Sequence, residues 1–108
     1  MTTVKMKAND TGQIFNGTLT IEGSAVNLSG ASVLMLLKLV ESPYTAYSLS
    51  ATVVSAAGGT VRCLASVSGF PTVAGTYKQE WEVTFSDTTK LSFPSNGYNF
   101  IQMLDDLN

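Results

Sequence analysis

Residues 75–85, GTYKQEWEVTF, form the most regular stretch of the chain and decide its fold class. Their side chains alternate between a mostly large, apolar face and a polar or charged face. The first face holds Tyr77, Gln79, Trp81, Val83 and Phe85, and the second holds Lys78, Glu80, Glu82 and Thr84. A period of two residues is typical of a β-strand that buries one side. We therefore predict a long strand here. Its structural core residues are expected to be Tyr77, Trp81, Val83 and Phe85.

Shorter strand-like segments fill the rest of the sequence. The apolar run 32–40 has the length of a strand in the middle of a sheet, although its Leu and Met residues would also suit a helix. The runs 14–21 and 47–54 are each predicted to form one strand. In the first of these, one face is expected to carry Phe15, Leu19 and Ile21.

Turn signals separate these segments at intervals of roughly 8–12 residues, which gives about seven to nine short strands. Residues 22–24 are one predicted turn, and residues 86–89 are expected to close a hairpin after the long strand. This pattern predicts an all-β fold, an immunoglobulin-like antiparallel β-sandwich that forms a single domain over residues 1–108. The alternative architectures are a jelly roll and a small barrel.

Two residues of the long strand bear on this fold. Tyr77 stands where the hydroxyl of a tyrosine corner would donate a hydrogen bond to the backbone of the preceding loop. Gln79 stands two positions later, where antibody domains have a cysteine. If Gln79 is buried, its side-chain amide needs hydrogen-bond partners.

The composition argues against several classes of partner. Charged residues make up only 13% of the chain, its net charge is −2, and its six basic residues are scattered. Nucleic acids and anionic membranes are bound by clustered basic residues, so neither partner is expected. A surface with few charges and many hydroxyls loses little free energy on desolvation and suits permanent protein contacts. An ordinary all-β protein would also be rich in Ser, Thr, Asn and Gly.

The residue types needed for catalysis or metal binding are scarce. The chain has no His and one Cys, Cys63, which is expected to be an inert core residue. Glu80 and Glu82 lie on the face opposite Trp81 and are expected to be solvated. Asp105-Asp106 lacks the further oxygen ligands of a calcium loop. We therefore expect no enzymatic activity, no catalytic or metal-binding residue and no cofactor.

The start of the sequence and its cysteine content indicate a compartment. Residues 1–5 lack the apolar core of a signal peptide, and a single cysteine cannot form an intrachain disulfide. We therefore expect synthesis in a reducing cytoplasm.

Seven segments of the sequence carry a resemblance to a known family. They are NDT at 9–11, LTIEG at 19–23, VNLSGA at 26–31, GGTV at 58–61, AGTY at 74–77, EWEVTF at 80–85 and LSFP at 91–94. In this order they resemble the immunoglobulin-like domain at the N-terminus of the upper baseplate protein of tailed bacteriophages, and small stand-alone phage proteins related to it. The family usually has a Gly in the hairpin after the strand that ends at Phe85, where this chain has SDTT.

The resemblance implies a structural role in a virion. The family's domain is an attachment module that fixes a tail or baseplate component to its neighbours. For this chain it implies a non-enzymatic virion protein that is made in the host bacterial cytoplasm. It would dock to other virion proteins in the tail, the baseplate or the neck and collar, and to copies of itself as a homo-oligomer. The alternatives are a capsid decoration protein and a carbohydrate- or cell-surface-binding module.

Six residues are candidates for the interface. The terminal segments 2–7 and 98–108 are expected to be left unpaired in a lone domain and to be ordered by a partner. Apolar residues at predicted loops or strand ends suit either a protein or a carbohydrate. The candidates from the terminal segments are Val4, Met6 and Phe100, and those from loops or strand ends are Tyr44, Tyr47 and Phe70.

Overall fold

The structure, a computed structural model, describes residues 3–7, 12–42, 44–93 and 99–104. Within these ranges the regular structure is entirely β, in eleven strand segments. They are β1 (Thr3–Lys7), β2 (Ile14–Thr18), β3 (Thr20–Ile21), β4 (Ser24–Ala25), β5 (Ser32–Leu39), β6 (Ala46–Ser50), β7 (Thr52–Ser55), β8 (Thr60–Leu64), β9 (Gly75–Thr84), β10 (Lys90–Phe93) and β11 (Asn99–Leu104). The predicted elements in 9–11, at Pro43, in 94–98 and at Asp105-Asp106 lie outside the described residues.

The strands form two main sheets and a small hairpin. The larger sheet has the order β1-β11-β9-β5-β6, with β10 also paired to β9. The smaller sheet has the order β2-β8-β7, and β3 pairs with β4. Buried residues from both main sheets belong to one hydrophobic core. The prediction of an all-β, immunoglobulin-like sandwich is confirmed, and the larger sheet ends at β1 and β6 without closing into a barrel.

Two details of the strand pattern differ from the sequence prediction. The segment count exceeds the expected number partly because β10 and β11 pair with successive parts of the same side of β9. The pairing of β1 with β11 is parallel, whereas every other pairing among the described strands is antiparallel. The first and last described strands therefore stabilise each other at one edge of the larger sheet.

Strand β9 lies in the middle of the larger sheet and supplies much of the core. It pairs with β5 on one side and with β10 and β11 on the other. On its inward face Tyr77 and Val83 are fully buried and Trp81 is almost so. Phe85, just after the strand, is half-buried against the core. The apolar run predicted to be central is β5, which lies between β9 and β6.

Tyr77 forms the predicted corner. Its hydroxyl donates a hydrogen bond of 2.6 Å to the carbonyl oxygen of Val73, in the loop before β9. Its ring meets Tyr47 edge-on, with 6.0 Å between ring centroids. Burial, helped by Tyr47, raises the pKa of Tyr77 to about 12. The hydroxyl is therefore held in its protonated, donating form.

Two segments predicted as single strands are each divided in the structure. Residues 14–21 split into β2 and β3, and Ile21 is exposed instead of facing the core with Leu19. The reason is the tight turn at Glu22 and Gly23, whose φ angles of 51° and 81° suit a two-residue hairpin. Residues 47–54 split at Ala51, where the chain passes from the larger sheet to the smaller one.

The predicted hairpin at 86–89 is present, and Thr88 takes the position that a glycine would suit. Its φ angle is 71°, in the left-handed region that β-branched residues rarely adopt. The turn is closed by a 2.8 Å hydrogen bond from Phe85 N to Thr89 O. Asp87 Oδ1 also accepts from Thr89 Oγ1 and N, at 2.6 and 3.1 Å. These bonds, the side-chain one first, lower the pKa of Asp87.

Candidate docking site

One edge of the smaller sheet is open. Strand β2 pairs with β8, from Ile14 opposite Leu64 to Thr18 opposite Thr60. On its other side no described strand pairs with it. The strand that precedes it, β1, pairs with β11 in the other sheet instead. This arrangement leaves β2 as an edge strand.

The ladder with β8 shows which backbone groups of β2 face outward. Ala65 N donates to Gln13 O at 2.9 Å, and Leu19 N donates to Gly59 O at 2.8 Å. In an antiparallel ladder alternate residues bond to the same neighbour, so odd-numbered residues of β2 bond to β8. The N–H and C=O groups of the even-numbered residues therefore point away from β8. These residues are Ile14, Asn16 and Thr18.

Strand β2 itself has no charged residue, proline or bulge that would protect this edge against strand pairing. Proteins commonly blunt an edge strand with charged residues, a proline or a bulge. Residues 11–21 contain no charge and no proline. By contrast, β1 at the edge of the larger sheet has the exposed residues Lys5 and Lys7, and β7 has an irregular register between Val53 and Ser55. Edge strand β6 is also uncharged.

A cleft of about 530 Å³ lies between the β2 edge and the nearby strands of the larger sheet. One wall is β2 with Leu19 and Thr20. The residues that complete it come from β1, β9, β10 and β11: Val4, Gln79, Trp81, Phe93, Asn99, Phe100 and Ile101. None of the described lining residues is charged. The cleft is therefore an uncharged space lined by both polar and apolar groups. It lies beside the outward backbone groups of β2, of which Ile14 O accepts a 3.4 Å bond from Gln13 Nε2.

Gln79 lines this cleft and carries an unpaired hydrogen-bond donor that is buried beneath its surface. Its side chain is only 5% exposed, and its Oε1 accepts a 3.1 Å bond from Asn99 Nδ2. Its Nε2 is buried and has no hydrogen-bond partner among the described residues. The sequence indicated that a buried Gln79 needs partners, and the fold supplies one for the oxygen only.

Gly17 allows β2 to lie directly against the indole of Trp81. A Cβ atom at residue 17 would be 2.7 Å from Trp81 Nε1 and 2.9 Å from Cε2. Contacts this short do not occur between real side chains, so glycine is required for the observed spacing. Gly17 and Trp81 together fix the distance between the β2 edge and the floor of the cleft.

Five of the six interface candidates fall in three places. Val4 and Phe100 both line the cleft. Tyr44 and Tyr47 line a second groove of about 450 Å³ near β6, at the opposite edge of the larger sheet. Phe70 is half-buried and stacks on Phe15, with 5.8 Å between ring centroids.

Met6 and the terminal segments require a correction. Met6 is buried in the core, so it is not an interface residue of the folded chain. The described parts of the terminal segments are not unpaired, because β1 pairs with β11 and β11 pairs with β9. Their apolar residues gain more by completing the core than by staying free for a partner. The sequence analysis missed the β2 edge, although the charge-free run 11–21 was a signal for it.

The remaining titratable groups do not assemble into a site among the described residues. Cys63 is buried, its Sγ donates to Ser50 O at 3.6 Å, and burial raises its pKa to about 11. Glu80 and Glu82 are half-buried on the outward face of β9 rather than fully solvated, and Glu82 lies 4.0 Å from Lys90 Nζ. Within the described ranges no three His, Cys, Asp or Glu residues lie together. No described helix is long and apolar enough to cross a membrane.

Comparison with known proteins supports the fold. No protein-family model matches the sequence, and no curated protein matches it. Among solved structures, CopC from Methylosinus trichosporium OB3b is similar, with a TM-score of 0.52 and 14% sequence identity. The match covers 100% of this chain and 89% of the CopC chain. At this identity the likeness shows a shared fold alone.

Proposed function

We propose that the chain is a non-enzymatic structural protein of a tailed-bacteriophage virion. It acts as an immunoglobulin-like attachment module that docks to other virion proteins in the tail, baseplate, neck or collar. The observation that carries the docking role is the uncharged open edge of β2 beside an uncharged cleft. The virion setting rests on the sequence segments that resemble the phage baseplate family.

The surface chemistry also supports docking through backbone and apolar contacts. The chain has few charged residues, and Lys90 and Glu82 form an ion pair with 4.0 Å between Nζ and Oε1. Exposed apolar side chains occur on several strands, among them Ile14 and Ile21. Such a surface binds protein neighbours without relying on ion pairs, which salt would screen. Repeated copies in one particle fit this mode of contact.

The test is whether the chain is part of the particle. Particles of the phage that carries the gene would be purified by density gradient and analysed by mass spectrometry and immunogold microscopy. We expect the chain to band with the particles, with label at the tail, baseplate or neck. Label spread over the capsid would instead assign the decoration role. Absence of the chain from purified particles would overturn the virion assignment.

A second candidate function is carbohydrate binding at the groove near β6. Tyr44 is 57% exposed there, and its φ angle of 57° is unusual for a bulky residue. The polar residues Ser48 and Glu80 line the same groove, whereas the ring of Tyr47 packs against the buried Tyr77. An exposed aromatic ring beside polar groups suits sugars. A glycan array probed with the wild-type chain and with Tyr44→Ala tests this, and binding that depends on Tyr44 would favour it.

A further inference from the structure

We propose that β2 binds an extended, uncharged segment of a partner protein as an additional strand, and that this segment places a hydrogen-bond acceptor against Gln79 Nε2 in the cleft. This inference deepens the proposed attachment function, because it names the docking site and the kind of partner. It rests on four observations, taken in turn below.

The backbone of β2 supplies the first contact. The outward N–H and C=O groups of Ile14, Asn16 and Thr18 repeat at every second residue, as in any ladder that accepts a further strand. Strand addition of this kind obtains its affinity from main-chain hydrogen bonds. The smaller sheet would then extend from β2 outward.

The cleft selects the form of the occupant. Alternate side chains of a strand added to β2 would point inward, into the space lined by Trp81 and Phe93. The β2 strand of a second folded copy does not suit this space, because its inward residue Phe15 is already buried in its own core. A lone segment with both faces free does suit it. We therefore assign the site to a segment of a partner protein rather than to a second copy.

Gln79 specifies one polar group of the occupant. A buried amide N–H without a partner is costly, and a bound acceptor removes that cost. The Nε2 atom donates, so its partner must be a carbonyl or hydroxyl oxygen, from the backbone of the segment or from a short side chain. The Oε1 atom is already engaged by Asn99, which orients the amide.

The charge of the lining determines the charge of the segment. The described lining of the cleft offers no charged side chain to compensate a buried ion. A charged residue of the segment that points inward would lose its hydration without a counter-charge. The inward positions of the segment are therefore apolar or neutral polar.

The experiment uses a display library of random peptides of about six residues, the usual length of a strand. The immobilised full chain selects binders, and a selected peptide is then titrated against the chain in solution by calorimetry. Amide hydrogen exchange measured by NMR shows where it binds. We expect the amides of Ile14, Asn16 and Thr18 to exchange quickly in the free chain and slowly in the complex.

Two variants with a matched control test the geometry. Asn16→Pro removes an N–H that faces away from β8, and Ser48→Pro removes the equivalent outward N–H on the uncharged edge β6. We expect Asn16→Pro to weaken binding at least ~tenfold and Ser48→Pro to leave it unchanged. Gln79→Leu keeps the edge and removes the donor. We expect it to remain folded by NMR and to weaken binding about tenfold.

Several results would overturn the proposal. These are the absence of enriched peptides, equal binding by Asn16→Pro and the wild type, or protection at β6 rather than β2. If Asn16→Pro does not fold, the hydrogen-exchange pattern and the binding by Gln79→Leu still test the site. Unchanged peptide binding by Gln79→Leu would overturn the role of the Gln79 amide. Self-association in analytical ultracentrifugation that Asn16→Pro abolishes would assign the edge to a second copy instead. Peptide binding and incorporation into particles are separate readouts, so this site and the virion role can fail independently.

Discussion

At the residue scale, the corner at Tyr77 shows how one hydroxyl joins a loop to the core. Its 2.6 Å bond to Val73 O is made by a fully buried side chain. We expect Tyr77→Phe to lower the free energy of unfolding by about 1–3 kcal/mol, because the hydrogen bond between the buried tyrosine and the loop carbonyl is lost. Urea denaturation measures this change. Tyr44→Phe, on an exposed ring, is the control and should have no effect. Equal stability of Tyr77→Phe and the wild type would mean that the hydroxyl does not hold the loop.

Thr88 has a backbone conformation that its side chain does not favour. Its φ angle of 71° places a β-branched residue in the left-handed region. Thr88→Gly should raise the free energy of unfolding by roughly 0.5–1 kcal/mol, since relief of strain outweighs the added freedom of the unfolded chain. Thr89→Gly should lower it, because Thr89 Oγ1 donates to Asp87. Thermal unfolding of both variants tests the assignment, and destabilisation by Thr88→Gly would contradict it.

The buried thiol of Cys63 makes the free energy of unfolding depend on pH in the alkaline range. Burial raises its pKa from 9.0 to about 11 in the folded chain. The unfolded chain therefore loses this proton at a lower pH than the folded chain. The thiol's contribution is complete below pH 9 and is lost as pH rises through about 11. We expect urea denaturation between pH 9 and about 11 to show a smaller fall in the free energy of unfolding for Cys63→Ala than for the wild type. An identical fall, or fast thiol labelling of the folded chain at neutral pH, would contradict the burial.

At the element scale, the contact of β2 with β9 depends on a single glycine. A Cβ at residue 17 would be 2.7 Å from the Trp81 indole, whereas Gly12 has no atom within 4 Å of its added Cβ. We expect Gly17→Ala to destabilise the chain by about 1–3 kcal/mol through overpacking, and Gly12→Ala to change little. Chemical denaturation compares the two. If Gly17→Ala is as stable as Gly12→Ala, the two sheets do not meet at the spacing described above.

The elements also show where sequence reasoning succeeds. The alternation in 75–85 predicts β9 because that strand has one core-facing side throughout its length. The hairpin at 86–89 was predictable because turn chemistry is local. The division at Ala51 was not, since the sheet to which a strand belongs depends on distant partners. The open edge of β2 arises because β1 pairs with β11 instead. Asn99 bonds only the oxygen of the Gln79 amide, and the described residues leave Nε2 without a partner. Both features depend on contacts between distant parts of the sequence.

At the scale of the whole molecule, the terminal strands are part of the core. β11 contributes Ile101 and Met103, both about 1% exposed, and it pairs with β1 and β9. We expect deletion of residues 99–108 to lower the free energy of unfolding by more than about 5 kcal/mol, which is enough to unfold a typical domain. Circular dichroism and NMR would then show an unfolded chain. Leu104→Ser, on an exposed residue of the same strand, is the control and should stay folded. A truncated chain that folds with wild-type stability would show that the end of the chain is dispensable for the sandwich. The terminal docking hypothesis would then replace the β2 edge as the explanation of attachment.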